Sequence, residues 1–214
     1  SKTFAAGLAS IVAAQGHFNW DDKVTQYVPQ FSFKSKRYNN QLKVEHLLSQ
    51  STGVMPNAYD NLIEANVKPQ FILPLFSMID PLCPPGRCYG YQNVLFSLIE
   101  PIMQQSTGKT YAELMQEHIF TPLQLPTASV GLDGFFSSEN RAMPHVKIRD
   151  GWGEAKVVPT YYRVNPAAGV NASAMDMGKW LIARLGHQPS VMSAGVLQDI
   201  HQPRIKSSVH LSGR

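Results

Sequence analysis

The chain has 214 residues, 43% of them hydrophobic and 16% charged, the composition of an ordinary globular protein able to bury a core. Its net charge of +4 comes from scattered residues (Lys34, Lys36 and Arg37, then a looser group between Arg141 and Lys156), not from the concentrated basic stripe of a nucleic-acid surface. No stretch approaches the roughly 20 continuous apolar residues of a membrane-spanning helix, and the apolar run 71–76 is broken by proline.

Phe4, Leu8, Ile11 and Val12 fall at helical spacing among small residues, predicting a short, buried first helix that stops at Gly16. Asn19 to Val24 reads as a turn entering a short helix that Pro29 ends. Another short helix covers 44–49, with Gly53 placed to cap its end. Between Tyr59 and Met78 helical patterns are interrupted by Pro69 and Pro74, and the three prolines and two glycines of 81–90 make a loop.

Val94, Leu95, Leu98, Ile99 and Ile102 share one face of a helix starting after Asn93, and Pro101 predicts a kink or break within it. The segment 111–119 is the next helix, closed by Pro122. Residues 130–160 carry Gly, Asp, Ser and isolated aromatics with little periodicity, predicting long loops with at most short strands. Residues 172–185 form a further helix, with an apolar face of Met175, Met177, Trp180, Leu181 and Leu185. Asn171 or Ser173 can cap its start and Gly186 can close its end. No repeat or Gly/Ser linker divides the sequence, so one compact, mostly helical unit is expected.

The two cysteines, Cys83 and Cys88, are too few for a four-thiolate metal site. A local disulfide and a pair of free thiols both fit the spacing; the former would suit an oxidising compartment. His17, His46 and His145 have no metal-binding spacing, and no cofactor is implied.

Three segments each join a loop to a helix start: Ser1-Lys2-Thr3-Phe4, Tyr89-Gly90-Tyr91-Gln92-Asn93, and Asn165 through Ser173. Together they resemble the class C β-lactamase and penicillin-binding protein family of serine hydrolases. In that family a Ser-x-x-Lys motif opens a helix and a Tyr-x-Asn motif faces it across a cleft. The resemblance extends to Leu47-Leu48-Ser49-Gln50-Ser51-Thr52-Gly53, to Thr107-Gly108-Lys109-Thr110-Tyr111 with Ile119-Phe120-Thr121-Pro122-Leu123, and to Asp176-Met177 with Trp180, all in the family's order.

The resemblance implies that Lys2 is the lysine of Ser-x-x-Lys and that Tyr91 and Asn93 are the Tyr-x-Asn pair. Lys2 and Tyr91 are then catalytic as a unit, and Asn93 binds substrate. Asn93 also fits an N-cap for the helix that follows it. The nucleophilic serine belongs three residues before Lys2, outside this sequence, so the segment by itself is expected to be inactive. The third family motif, Lys-x-Gly or His-x-Gly, has no counterpart; His210-Leu211-Ser212-Gly213 has one residue too many and comes too early.

A lysine one helical turn from a serine can reach its hydroxyl and, with the tyrosine, take the proton that otherwise keeps it a weak nucleophile. The expected chemistry is acyl transfer to water from a β-lactam, a D-alanyl peptide or a small ester, in a periplasmic or secreted protein. The expected fold is mainly α, with residues 1–214 a partial β-lactamase-like domain, mostly the helical portion of an α+β fold. The alternative is a non-catalytic module that recognises such ligands without turnover. An N-terminal nucleophile built on Ser1 fits poorly, because the residues after it read as helix rather than strand.

Overall fold

The first helix, α1 (Lys2–Ala14), buries Phe4, Ala5, Gly7, Leu8, Ala9, Ser10, Ile11 and Val12, which leaves it little exposed face. The structure is a computed structural model that describes residues 1–206. After α1 come four short helices, α2 (Val24–Tyr27), α3 (Lys36–Asn39), α4 (Val44–Leu48) and α5 (Asp60–Glu64). Then α6 (Pro69–Ile72) runs into a 3-10 turn over Leu73–Met78. After the 81–90 loop come α7 (Asn93–Phe96), α8 (Ile99–Thr107) and α9 (Tyr111–Met115), the last continued by a wider turn to Phe120.

Strand β1 (Ser129–Val130), helix α10 (Gly131–Ser137) and the hairpin of β2 (His145–Ile148) with β3 (Gly151–Glu154) follow. A 3-10 turn over Thr160–Arg163 leads to α11 (Asn165–Ala168), β4 (Val170–Asn171), α12 (Ala174–Ile182) and α13 (Ala194–His201). Among the described residues the strands make two two-stranded antiparallel sheets, β1 with β4 and β2 with β3. Helix therefore predominates, as the sequence predicts. Helix α1 packs against α8, α11 and α13.

Local chemistry explains most boundaries. Ser173 and Asp176 form a reciprocal cap on α12: Asp176 N donates to Ser173 Oγ at 3.2 Å, and Ser173 N donates back to Asp176 Oδ2 at 3.1 Å. Thr110 and Glu113 do the same for α9. Gly108, at φ 74°, ends α8 in the left-handed conformation that glycine adopts without a Cβ penalty. A polar latch ties α13 back to α1: Asp199 Oδ2 accepts from Ser10 Oγ at 2.8 Å and Trp20 Nε1 at 2.9 Å. Arg204 joins Asp199 to Glu45 on α4, its Nη1 lying 3.0 Å from Glu45 Oε2.

Four expectations need correction. The left-handed residue that closes α4 is Gln50 (φ 57°), directly after the Ser49 cap; Gly53 (φ 87°) is also left-handed but turns the chain three residues further on. The break in the 93–102 segment falls at Ser97 and Leu98, not at Pro101. Pro101 occupies the first turn of α8, where a missing N–H leaves no intrahelical bond unmade. Within 130–160, residues 131–137 form a helix rather than a loop. The helix expected over 172–185 begins only at Ala174, after its Ser173 cap, and a further helix, α13, follows it. The segment His210-Leu211-Ser212-Gly213 lies outside the described residues. Cys83 and Cys88 form a disulfide, which resolves the choice the sequence left open.

Candidate active site

The three sequence-selected residues meet at the start of α1. Lys2 Nζ donates to Asn93 Oδ1 at 2.7 Å and to the Ala167 carbonyl oxygen at 3.1 Å. The same ammonium lies 4.7 Å from the centroid of the Tyr91 ring and 5.4 Å from that of Phe96, both within cation–π range. One basic side chain is thus held by α7, by α11 and by the residue two before α7.

Asn93 is the first residue of α7 and is buried. Gln92 precedes that helix as its cap residue, and no side-chain cap bond forms there. The Asn93 side chain instead faces the site, its Nδ2 donating to Asp60 Oδ2 at 2.7 Å. Asp60 is itself buried, and its other oxygen, Oδ1, has no hydrogen-bond partner among the described residues. Burial pushes its carboxyl above the usual carboxylate range and Glu64 adds to this, while the Asn93 hydrogen bond and the Lys2 charge oppose it.

Tyr91 is placed by its backbone. Asn57 N donates to Tyr91 O at 2.7 Å, Gly90 N donates to Gln50 O at 2.8 Å, and Gln92 N donates to Gln50 Oε1 at 2.7 Å. Gln50 reaches both bonds by adopting its left-handed conformation after α4. The Gly90 backbone rides so close to residue 54 that a Cβ there would sit 2.4 Å from Val54 O. The disulfide closes the loop immediately upstream, where Leu82 N donates to Gly53 O and Gly86 N to Ser51 O. Tyr91 as a residue is left about one-third exposed (36%).

On the opposite rim, the turn before α11 brings Tyr161 to Glu64, the hydroxyl donating to Oε1 at 2.9 Å. Burial and that hydrogen bond push the Tyr161 phenol up to about 12, with Asp60, Glu64 and Tyr91 nearby adding to the shift. Arg163 Nε donates to Asn66 Oδ1 at 2.6 Å, so this turn is joined both to α5 and to the residue two beyond its end. Ser1 Oγ accepts from Val170 N at 3.0 Å, which ties the start of α1 to β4. A cavity of about 200 Å³ lies two turns further along α1, around Ser10, Trp20, Glu45, Asp199 and Arg204, and shares no lining residue with the Lys2 cluster.

Sequence reasoning selected Lys2, Tyr91 and Asn93 and missed Asp60, Gln50 and the Ala167 carbonyl. A carbonyl ligand has no side-chain signature. The one available hint at Asp60 is an acidic residue amid the largely apolar and amide residues that follow the Thr52-Gly53 turn. No group of three or more His, Cys, Asp or Glu side chains suited to a metal occurs among the described residues. No helix there is long and apolar enough to cross a membrane.

Comparison with known proteins places this geometry in context. The family model described as Beta-lactamase matches residues 1–206. The chain is 35% identical over 99 residues to a D-aminopeptidase of Gluconobacter oxydans, covering 45% of this chain and 18% of that protein. It is 24% identical over 193 residues to a beta-lactamase of Escherichia coli K12, covering 86% and 46% respectively. Among solved structures, the octameric penicillin-binding protein homologue from Pyrococcus abyssi superposes with a TM-score of 0.80 at 20% identity, over 97% of this chain and 48% of that one. A D-stereospecific amidohydrolase from Streptomyces superposes with a TM-score of 0.75 at 19% identity, over 98% and 65%. The chain spans less than half the length of these two curated relatives, and the structural likeness establishes the shared fold.

Proposed function

This chain belongs to the beta-lactamase family, and from that premise we propose that Lys2, Tyr91 and Asn93 form the activating and binding groups of an acyl-transfer serine hydrolase. The observation that carries the reading is the Lys2 ammonium, hydrogen-bonded to Asn93 Oδ1 and seated over the Tyr91 ring at the first turn of α1. A group one helical turn before Lys2 would lie on the same face and within its reach. The nucleophilic serine is assigned to that position, three residues before Lys2. Residues 1–214 are read as the helical portion of a larger domain, which is supported by their coverage of 46% of the E. coli relative.

In this mechanism the serine hydroxyl attacks the carbonyl carbon of a lactam, amide or ester. Its proton passes to the Lys2–Tyr91 unit when that unit holds one proton fewer than an ammonium plus a phenol, and from there to the leaving nitrogen or oxygen as the C–N or C–O bond breaks. Water then attacks the acyl-enzyme through the same unit, releasing the carboxylic acid and restoring the hydroxyl. Asn93 offers its amide to the substrate while holding the lysine. The substrate class is a β-lactam, a D-alanyl peptide or a small ester or amide; the D-aminopeptidase relative supports the peptide option. A periplasmic or secreted address agrees with the Cys83–Cys88 disulfide, since such bonds persist in oxidising compartments.

The test is covalent labelling of the longest natural polypeptide that carries this sequence, with a fluorescent penicillin and with a fluorophosphonate. Stoichiometric labelling that Lys2→Ala reduces by roughly a hundredfold or more supports the reading. Saturable penicillin binding with no covalent adduct would replace it with a ligand-recognition module. Residues 1–214 alone are expected to remain unlabelled.

A further inference from the structure

An asparagine amide is nearly symmetric in shape and opposite in chemistry at its two ends, so something must decide which end faces an ammonium. Lys2 brings donors only. If the Asn93 amide turned over, its NH2 would meet the ammonium, donor against donor, and the hold on Lys2 from α7 would be lost. Asn93 is buried, so water does not settle the choice. The neighbour that can is Asp60, whose Oδ2 lies 2.7 Å from Asn93 Nδ2.

Taking the proposed hydrolase site as its premise, we propose that Asp60 is a positioning residue: its carboxylate fixes the Asn93 amide with Oδ1 toward the Lys2 ammonium, and so fixes the lysine. Ionised carboxylates only accept hydrogen bonds, so Asp60 admits one orientation of the amide. In a poorly solvated interior, a charged acceptor at the NH2 end also polarises the amide and strengthens the carbonyl end as an acceptor. The sequence Asp60 Oδ2, Asn93 Nδ2, Asn93 Oδ1, Lys2 Nζ links an anion to a cation through one neutral group, with 2.7 Å at both hydrogen bonds. The buried carboxylate and the half-buried ammonium thereby compensate one another.

The placement of Asp60 is supported on both sides. Asp60 N donates to Asn57 O at 3.1 Å, and Asn57 N in turn holds the Tyr91 carbonyl, so one short segment sets both the carboxylate and the phenol-bearing backbone. Oδ1 has no hydrogen-bond partner among the described residues, which leaves Asn93 as the side chain that this buried carboxylate holds. Among the described residues the Asp60 carboxylate bonds to Asn93 and to neither Lys2 nor Tyr91, so it acts through Asn93.

Two variants separate this role from simple packing. Asp60→Asn keeps an acceptor that can turn toward Asn93 Nδ2, and Asp60→Ala removes it. In the longest natural polypeptide carrying the sequence, Asp60→Ala is expected to lower the acylation rate constant roughly ten- to a hundredfold with KM within about threefold of wild type. Asp60→Asn restores an acceptor but also offers a donor, so it should recover only part of that loss. With asparagine-selective 15N labelling, the Asn93 side-chain amide resonance should move in Asp60→Ala and stay near its wild-type position in Asp60→Asn. Wild-type acylation in Asp60→Ala, or an unmoved Asn93 amide, would overturn the proposal. If the wild-type protein acylates with no probe, the hydrolase reading fails by itself, and the amide resonance still decides whether Asp60 orients Asn93.

Discussion

The Trp180 indole lies on the Phe4 ring with centroids 4.3 Å apart and planes 14° from parallel, which locks α12 onto the first turns of α1. Its outer edge fills the space above Gly7, where an added Cβ would sit 2.7 Å from Cη2 of that ring. Alanine is the better helix former by about 1 kcal/mol, while overpacking costs about 1–3 kcal/mol. Packing is expected to win. Gly7→Ala should lower stability in urea unfolding; a gain would mean that Trp180 withdraws freely and that the stack does not constrain α1.

Tyr91→Phe removes a hydroxyl and leaves the ring beneath the Lys2 ammonium. Because the side chain is partly exposed and its backbone carries the local hydrogen bonds, the melting temperature should stay close to wild type. Acylation of the longest natural polypeptide carrying the sequence should fall roughly a hundredfold, the scale of a lost proton-transfer group. Retention of more than half the rate in stopped-flow labelling would remove the phenol from the proton path.

The Cys83–Cys88 disulfide closes a small loop with a sequence separation of 5. Loop-closure entropy gives a bridge of that size about 2 kcal/mol. The double variant Cys83→Ser with Cys88→Ser should therefore lower the melting temperature by roughly 4–8 °C. Dithiothreitol should reproduce the change in the wild type and leave the double variant unaffected. An equal response in both proteins would show that the bridge adds nothing to the fold.

His46 gives the fold a dependence on mild acid. Lys43 N donates to its Nδ1 at 3.1 Å, a bond that a protonated ring cannot accept. Burial pushes the imidazole below its ordinary value of 6.5, outweighing the opposing pull of Glu45. The folded state therefore binds the proton less tightly than the unfolded chain. Its contribution is complete above pH 6.5 and is lost as pH falls through the depressed folded value. Melting temperatures from pH 7.5 to 5.0 should decline for the wild type and decline less for His46→Gln. Parallel curves would assign the acid sensitivity to other groups.

The parts of the site legible in the sequence are those carried by side chains in short, ordered motifs: Lys2 at a helix start, and Tyr91 and Asn93 after a proline-glycine loop. The parts that escaped are contacts made by the chain rather than by a motif. Ala167 contributes its carbonyl, which every residue has, and Gln50 contributes through a left-handed turn that glycine-based capping rules assign to Gly53. The helix over 131–137 was hidden by two glycines and by a face that stays half open, with no residue of it fully buried. In α13 the signal was present, since Val196, Leu197 and Ile200 follow helical spacing and pack on the core. Pro101 reads as a breaker in the sequence because the continuous apolar face around it hides the boundary at Ser97 and Leu98.

The lysine of α1 finds its two hydrogen-bond acceptors 91 and 165 residues away along the chain. Neither partner can be reached by local structure, so an isolated first helix would present an ordinary freely hydrated amine. Reactivity at that single nitrogen, followed by a small acylating reagent and peptide mass analysis, is thereby a gauge of tertiary assembly. Denaturants, truncations or distant substitutions that part these segments will register there even when helix content measured by circular dichroism is unchanged.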